Sequence, residues 1–210
     1  MSKLSDAQLY VLVTGSVANR PPLEAADLAV RGGADAIQLR EKDLPDREFL
    51  DLARQMRELC SKAGALFIVN DRVSISKLAG ADGVHVGQDD LPGVEARKIL
   101  RKGKILGVST HDIDQARQAQ ADGADYIGVG PIYPTDTKGY EQGVGVDFIR
   151  QVKAEITIPF FAIGGITLDR LDEVIAAGCT RVAVSSAVIA ADDITIAARE
   201  IKNKLIAAAG

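Results

Sequence analysis

The sequence predicts an α/β chain closed into a parallel (β/α)8 TIM barrel, and three observations carry that reading. One phrase recurs: "GGADAIQLR" from Gly32, "AGADGVHVG" from Ala79, "DGADYIGVG" from Asp122 and, more faintly, "AGCTRVAVS" from Ala177. The apolar run in each copy is hydrophobic nearly throughout instead of alternating, as strands covered on both faces must be. Eight such runs can be counted, with helix-like segments between them. They are "LYVLVTG" from Leu9, "DAIQLR" from Asp35, "LFIVND" from Leu66, "GVHVG" from Gly83, "ILGVS" from Ile105, "YIGVG" from Tyr126, "FFAIG" from Phe160 and "RVAVS" from Arg181. Repeated strand-then-helix units suit a closed barrel. An open doubly wound sheet is the alternative; it usually shows one glycine fingerprint instead of polar residues at nearly every strand end.

Each element has a local reason. A glycine just past a helix end closes the last turn in the left-handed conformation, which accounts for the small-residue turn before each repeated strand. "DREFLDLARQMRELCSKAG", "GVEARKILRKG" and "DIDQARQAQADG" read as the connecting helices. The 210 residues fit one catalytic domain, 1–210, provided most connections are tight. A net charge of −4 argues against a general nucleic-acid or membrane-surface binder. The opening "MSKLSDAQLY" lacks the apolar segment of a secretory signal, and no run is long enough to cross a bilayer. Cys60 and Cys179 sit far apart in apolar or helical context and read as reduced residues of a cytoplasmic protein. Two cysteines and two histidines argue against a structural zinc site. One chain does not fix the oligomeric state, and a homodimer is left open.

In such a barrel the strand C-terminal ends form the active-site face. Around that mouth the order is Gln38, Arg40, Glu41 and Lys42 after the second strand, then Asn70, Asp71 and Arg72 after the third. Gln88, Asp89 and Asp90 follow the fourth; the fifth ends at Ser109, with Thr110 and His111 behind it. Arg and Lys suit phosphate, one as a planar fork and the other as a point charge. Two aspartates from adjacent ends suit Mg²⁺, which takes one or two carboxylates with waters and substrate phosphate oxygens. Together they outline a pyrophosphate site. The seventh strand ends in "GGIT", Gly164 to Thr167, and the eighth in Ser185 and Ser186. Glycine exposes backbone N–H groups, a helix start after it adds a positive dipole end, and these two loops often hold phosphate in barrels.

The stretch "GPIYPTDTKGYEQGVG", Gly130 to Gly145, follows the sixth strand with no helical or strand period. A long loop on the catalytic face of a compact domain reads as a binding lid, and its threonines and lysine are groups that hold phosphate. Two histidines and two tyrosines invite over-reading. His85 lies inside the fourth strand and reads as a packed, hydrogen-bonded core residue. His111, at a helix start, reads as a surface or capping residue. Tyr133 and Tyr140 either line the substrate or pack the loop.

"QLREKD", "NDR", "GVHVGQDDLP", "GVSTHD", "GADYIGVGPIYPTDTK", "IGGIT" and "VSSAV", in that order and spacing, resemble the thiamine-phosphate synthase family over nearly the whole chain. The resemblance implies a transferase of thiamine biosynthesis. It would join 4-amino-2-methyl-5-hydroxymethylpyrimidine diphosphate to 4-methyl-5-(2-phosphoethyl)thiazole, or its carboxylated form, releasing pyrophosphate. By the same resemblance Gln38, Arg40, Lys42 and Asn70 face the pyrimidine diphosphate, with Glu41 in the substrate-binding set. Asp71 and Asp90 hold Mg²⁺; the preference for Asp90 over Asp89 rests on the resemblance. Ser109 and Lys138 contact the diphosphate, and Thr135, Thr137, Gly165, Ser185 and Ser186 hold the thiazole phosphate. Arg40, Lys42, Ser109 and Lys138 form the catalytic set.

The residues agree with that chemistry. Cations and Mg²⁺ would stabilise charge building on a departing diphosphate. No protein nucleophile is needed, and no convincing Ser/His/Asp or Cys/His set exists. The chain departs from the family pattern at Gly15, where many relatives carry an aspartate, at Ser185, where an apolar residue is common, and at Thr110, where alanine is usual. A thiazole tautomerase of the same superfamily is one alternative; such relatives tend to lose the "GQDD" acid or the strand-six lysine, and Asp71, Asp90 and Lys138 are all present here. A non-catalytic sensor of a phosphorylated ligand is the other.

Overall fold

Residues 2–135 and 142–209 are described by the structure, a computed structural model. A short helix α1 (Ser2–Asp6) leads into β1 (Leu9–Val13). Then follow α2 (Pro22–Arg31), β2 (Ala36–Leu39), α3 (Asp46–Ala63), β3 (Leu66–Asn70), α4 (Val73–Ala79), β4 (Gly83–Val86) and α5 (Gly93–Ile99). The second half runs β5 (Ile105–Thr110), α6 (Ile113–Ala121), β6 (Tyr126–Val129), α7 (Val146–Glu155), β7 (Phe160–Ile163), α8 (Leu171–Ala176), β8 (Val182–Val184), α9 (Ser186–Ile189) and α10 (Ile194–Ala209). The strands close in chain order, each parallel to the next, with β8 returning to β1. This is the (β/α)8 barrel the sequence predicts, and all eight expected runs are its staves.

The repeated phrase now has a mechanical meaning. Its glycines Gly33, Gly80, Gly123 and Gly178 have φ of +100°, +68°, +83° and +97°. Each takes the left-handed turn that a side chain would resist. The aspartate after the turn fastens the bottom of the barrel in three of the four copies. Asp35 Oδ2 accepts the Gln8 and Leu9 amides at 2.8 and 2.9 Å. Asp82 Oδ2 accepts the Phe67 amide at 2.9 Å, and Asp125 Oδ2 the Leu106 amide at 2.8 Å. Each carboxylate is also paired with a cation: Lys202, Arg57 and Arg97 in turn. A parallel strand starts with an amide that its neighbour's ladder does not reach, and these carboxylates satisfy it.

Two apolar layers result. Inside the barrel pack Tyr10, Leu12, Ala36, Leu66, Ile68, Tyr126, Phe161 and Ala183, with Leu4 and Ala7 closing the lower end. The helices cover the outside; α3 buries Phe49, Ala53, Met56 and Cys60 at three- and four-residue steps. Both cysteines are buried and free, as expected, and burial pushes the Cys60 thiol up to about 12. Among the described residues no helix is long and apolar enough to cross a membrane.

Candidate active site

At the C-terminal ends of the strands a cavity opens to solvent. Arg40, Ser109, Thr135, Gly165, Ser185 and Ser186 all line it. A second, smaller cavity continues down the barrel, lined by Gln38, Arg40, Asn70, His85, Ser109 and Tyr126 among others. Arg40 and Ser109 belong to both, so they stand where the two spaces meet.

Arg40 follows the last residue of β2 and its amide bonds the Val13 carbonyl at 2.9 Å. It is only 7% exposed. Among the described residues its guanidinium has no hydrogen bond and no carboxylate within ion-pair distance. The Glu41 carboxylate acts on it only at a distance, and an anion in the cavity would supply the hydrogen-bonded partner that a buried guanidinium calls for. Next to it Glu41 accepts the Gly15 amide, and burial raises its carboxyl above the usual range. A side chain at residue 15 would meet that carboxylate, its Cβ lying 2.9 Å from Glu41 Oε1. The departure at Gly15 therefore goes with an acid brought from the next strand end. Lys42 is exposed on the same loop. The loop is clamped from β3: Arg72 donates to the Glu41 and Lys42 carbonyls at 3.2 and 2.9 Å, pairs with Asp46 and lies over the Phe49 ring.

Asp71 and Asp90 flank the end of β4. The Asp71 amide donates to the His85 carbonyl at 2.8 Å, and the Gly87 amide donates to Asp90 Oδ2 at 2.8 Å. Residues 85 and 87 are roughly 7 Å apart along an extended strand, so the two aspartates share one stretch of rim. Asp71 has φ of +58°, a left-handed backbone that a non-glycine residue adopts at a cost and that often marks a functional position. Gly87 leaves room for Asp90; a Cβ there would lie 2.8 Å from Oδ2. Two carboxylates on adjacent staves fit a hard cation that takes its other ligands from water and phosphate oxygens.

The opposite half of the rim offers backbone and hydroxyl groups. Gly164 and Gly165 have φ of +99° and +62°. A Cβ on Gly165 would lie 2.7 Å from the Pro134 carbonyl oxygen and 2.8 Å from Tyr133 Cβ. The first part of the long loop is laid along the end of β7, with the Ile132 and Tyr133 amides bonded to Ile163 and Gly164 at 2.8 and 3.0 Å. Its stem closes through Val144 to Pro131 and Gly145 to Ile132. Ser185 donates its hydroxyl to the Leu12 carbonyl at 3.1 Å, and α9 begins at Ser186.

Some expectations change in detail. Gln38 does not stand past a strand end; it lies within β2, 2% exposed, and reaches the inner cavity only. Ser109 lies in the fifth strand as expected, and β5 runs one residue further, to Thr110. The helix after "GGIT" starts only at Leu171, so its dipole does not act at the glycines. His111 is not the cap of α6, a role taken by Asp112; its ring bonds the Gly130 carbonyl and lines the cavity. Tyr133 packs the loop: its hydroxyl donates to Glu173 at 2.6 Å and Arg170 lies 4.8 Å over its ring. His85 is packed and hydrogen-bonded as expected, to Tyr126 and Ser109. Thr137, Lys138 and Tyr140 lie outside the described residues, and with them the lid's phosphate contacts. Pattern reading missed Tyr10 and Tyr126, whose inward phase is invisible in a strand that is apolar on both faces, and the clamping role of Arg72.

A model described as thiamine monophosphate synthase matches residues 9–188. Thiamine-phosphate synthase of Moorella thermoacetica is 50% identical over 204 residues, covering 96% of this chain and 97% of that one. The enzyme of that name from Methanoculleus marisnigri is 44% identical over 202 residues, covering 95% and 96%. Among solved structures, thiamine phosphate pyrophosphorylase from Pyrococcus furiosus superposes with a TM-score of 0.90 at 36% identity, covering 99% of this chain and 98% of that one. A 3-hexulose-6-phosphate synthase superposes with a TM-score of 0.67 at 19% identity over 93% of this chain and 98% of that one, a likeness of fold alone. Nearly the whole barrel, mouth included, is thus shared with relatives of one name, and the chain belongs to the thiamine monophosphate synthase family, whose members are transferases.

Proposed function

We propose that the protein joins 4-amino-2-methyl-5-hydroxymethylpyrimidine diphosphate to 4-methyl-5-(2-phosphoethyl)thiazole, or its carboxylated form, giving thiamine phosphate and pyrophosphate. The observation that carries this reading is Arg40: a buried guanidinium without a carboxylate partner among the described residues, at the junction of two cavities. The inner cavity is lined by amides and hydroxyls suited to a flat heterocycle, and the outer one by Thr135, Gly165 and Ser186, suited to a phosphate. The relatives' shared name supports the formation of thiamine phosphate.

In this scheme Gln38 and Asn70 orient the pyrimidine, and Arg40, Lys42 and Ser109 grip its diphosphate, with Lys138 assigned there by resemblance. Asp71 and Asp90 would hold Mg²⁺, which when bound neutralises charge on the diphosphate. The bond between methylene carbon and diphosphate oxygen breaks, and its electron pair leaves with the diphosphate. The ring's 4-amino group donates electrons toward the methylene cation. The thiazole nitrogen then attacks that carbon, with its phosphate held by Thr135, Thr137, Gly165, Ser185 and Ser186. The protein's share is alignment, charge compensation and exclusion of water from the cation.

The test is formation of thiamine phosphate from the two substrates by the purified chain, with Mg²⁺ and with chelator. Formation that stops on chelation is expected. Isomerisation of a thiazole substrate without coupling would point to a tautomerase, and binding without turnover to a sensor.

A further inference from the structure

A line of hydrogen bonds runs from the middle of the barrel to its mouth. Gln38 Nε2 donates to the Tyr10 hydroxyl at 2.7 Å, and Tyr10 and Tyr126 hydroxyls are 2.9 Å apart. Tyr126 Oη lies 3.0 Å from His85 Nδ1, and His85 Nε2 lies 2.9 Å from Ser109 Oγ. Tyr10 and Tyr126 are 2% and 1% exposed, and Gln38, His85 and Ser109 are buried with them. Buried polar groups must each find a partner, so the proton order along this line is constrained.

The order follows from its inner end. Tyr10 already accepts from the Gln38 amide, and among the described residues Tyr126 Oη is the acceptor in reach of its own hydrogen. Tyr126 then accepts from Tyr10 and directs its hydrogen to His85 Nδ1. Burial keeps both phenols protonated, so both remain donors. A neutral imidazole that accepts at Nδ1 carries its proton on Nε2, and that proton goes to Ser109 Oγ. The opposite order would leave the Tyr10 hydroxyl hydrogen without an acceptor among the described residues.

We infer that the line Gln38–Tyr10–Tyr126–His85 fixes His85 as its Nε2–H tautomer and so turns the Ser109 hydroxyl hydrogen outward, making Ser109 a hydrogen-bond donor to an anionic oxygen in the mouth. Ser109 lines both cavities, and its carbonyl is held at 2.6 Å by Gln88 Nε2, so the hydroxyl stands on a fixed stem. With the substrates of the proposed function, on which this identification rests, the anionic oxygen belongs to the leaving diphosphate. A serine facing a histidine is ordinarily read as a nucleophile facing its base. Here the polarity is reversed: the ring donates to the hydroxyl, and His85 and Tyr126 are positioning residues.

The experiment is nitrogen NMR on the full chain with ¹⁵N-labelled histidine. The chain has two histidines, so a His111→Gln sample assigns the signals. A protonated Nε2 and an unprotonated Nδ1 for His85 are expected; the reverse tautomer, or a doubly protonated ring, overturns the inference. Kinetics supply the second arm. Ser109→Ala is expected to lower kcat roughly 100-fold, and Tyr126→Phe about tenfold, with KM for the diphosphate substrate little changed in the second variant. The double variant should be no slower than Ser109→Ala alone, because Tyr126 acts through Ser109; additive losses overturn the relay. The tautomer measurement needs no substrate. A wild-type chain that makes no thiamine phosphate therefore counts against the proposed function and not against the relay.

Discussion

The two ends of the barrel carry the same residue types in opposite settings. At the lower end Asp82 and Asp125 each accept a strand amide and each meet an arginine, Arg57 or Arg97. At the upper end Asp71 stands on a left-handed backbone and Asp90 accepts the Gly87 amide of its own loop, while Arg40 has no carboxylate at pairing distance among the described residues. The lower acids and arginines pair with one another; Arg40 at the upper end is turned to the cavity. Sequence alone does not distinguish these aspartates, since both kinds follow or precede apolar strands. Their partners do.

Removing the upper acids should have the largest effect on chemistry. Asp90→Asn keeps an oxygen for the Gly87 amide but removes a charge from the rim, and Asp71→Asn tolerates the left-handed backbone. Each should lower kcat on the order of a thousandfold, as loss of several kcal/mol of charge stabilisation requires. Thermal unfolding should shift little. A variant with near wild-type turnover across Mg²⁺ concentrations would break the contrast at its top end.

Arg40→Met comes next. It conserves length and removes a buried charge, so kcat/KM should fall roughly 100-fold while the melting temperature holds or rises. Arg57→Met at the lower end should do the reverse, leaving turnover per folded molecule unchanged and lowering stability. Measured side by side, the two substitutions separate a ligand-facing arginine from a structural one. Asp82→Ala sharpens the point: it strands both the Phe67 amide and Arg57, and should cost about 1.5–3 kcal/mol of unfolding free energy with unchanged KM.

How much of this was legible in the sequence depends on the range of the cause. The staves were readable because their signals are local: a glycine that closes a helix, then an apolar run. Gly33, Gly80, Gly123 and Gly178 are the physical content of the repeat. The repeated Asp35, Asp82 and Asp125 were visible as letters but not as fasteners, because their amide partners lie 15 to 27 residues away. Gln38 was read one layer too high, because a strand covered on both faces gives no alternation to show which residues point along the barrel axis. The line through Tyr10 and Tyr126 stayed hidden for the same reason, since it joins residues 116 apart. The five-residue α1 is too short for any period to announce it.

The smallest effect tests the glycine half of the rim against its charged half. Gly165→Ala adds a methyl group where the Pro134 carbonyl and Tyr133 Cβ already stand within 3 Å, on a backbone with φ of +62°. The left-handed conformation alone costs roughly 1–2 kcal/mol for a residue with a Cβ. The turn should therefore shift, carrying its amides away from the cavity. Because those amides are proposed to hold a phosphate that does not react, KM for the thiazole phosphate should rise about tenfold, the value of one lost hydrogen bond. Saturating that substrate should restore most of kcat, which saturation cannot do for Asp90→Asn. If Gly165→Ala instead lowers kcat at saturation as strongly as an acid substitution, the two halves of the mouth do not divide labour between leaving group and anchor, and both phosphates must be engaged in the bond-breaking step itself.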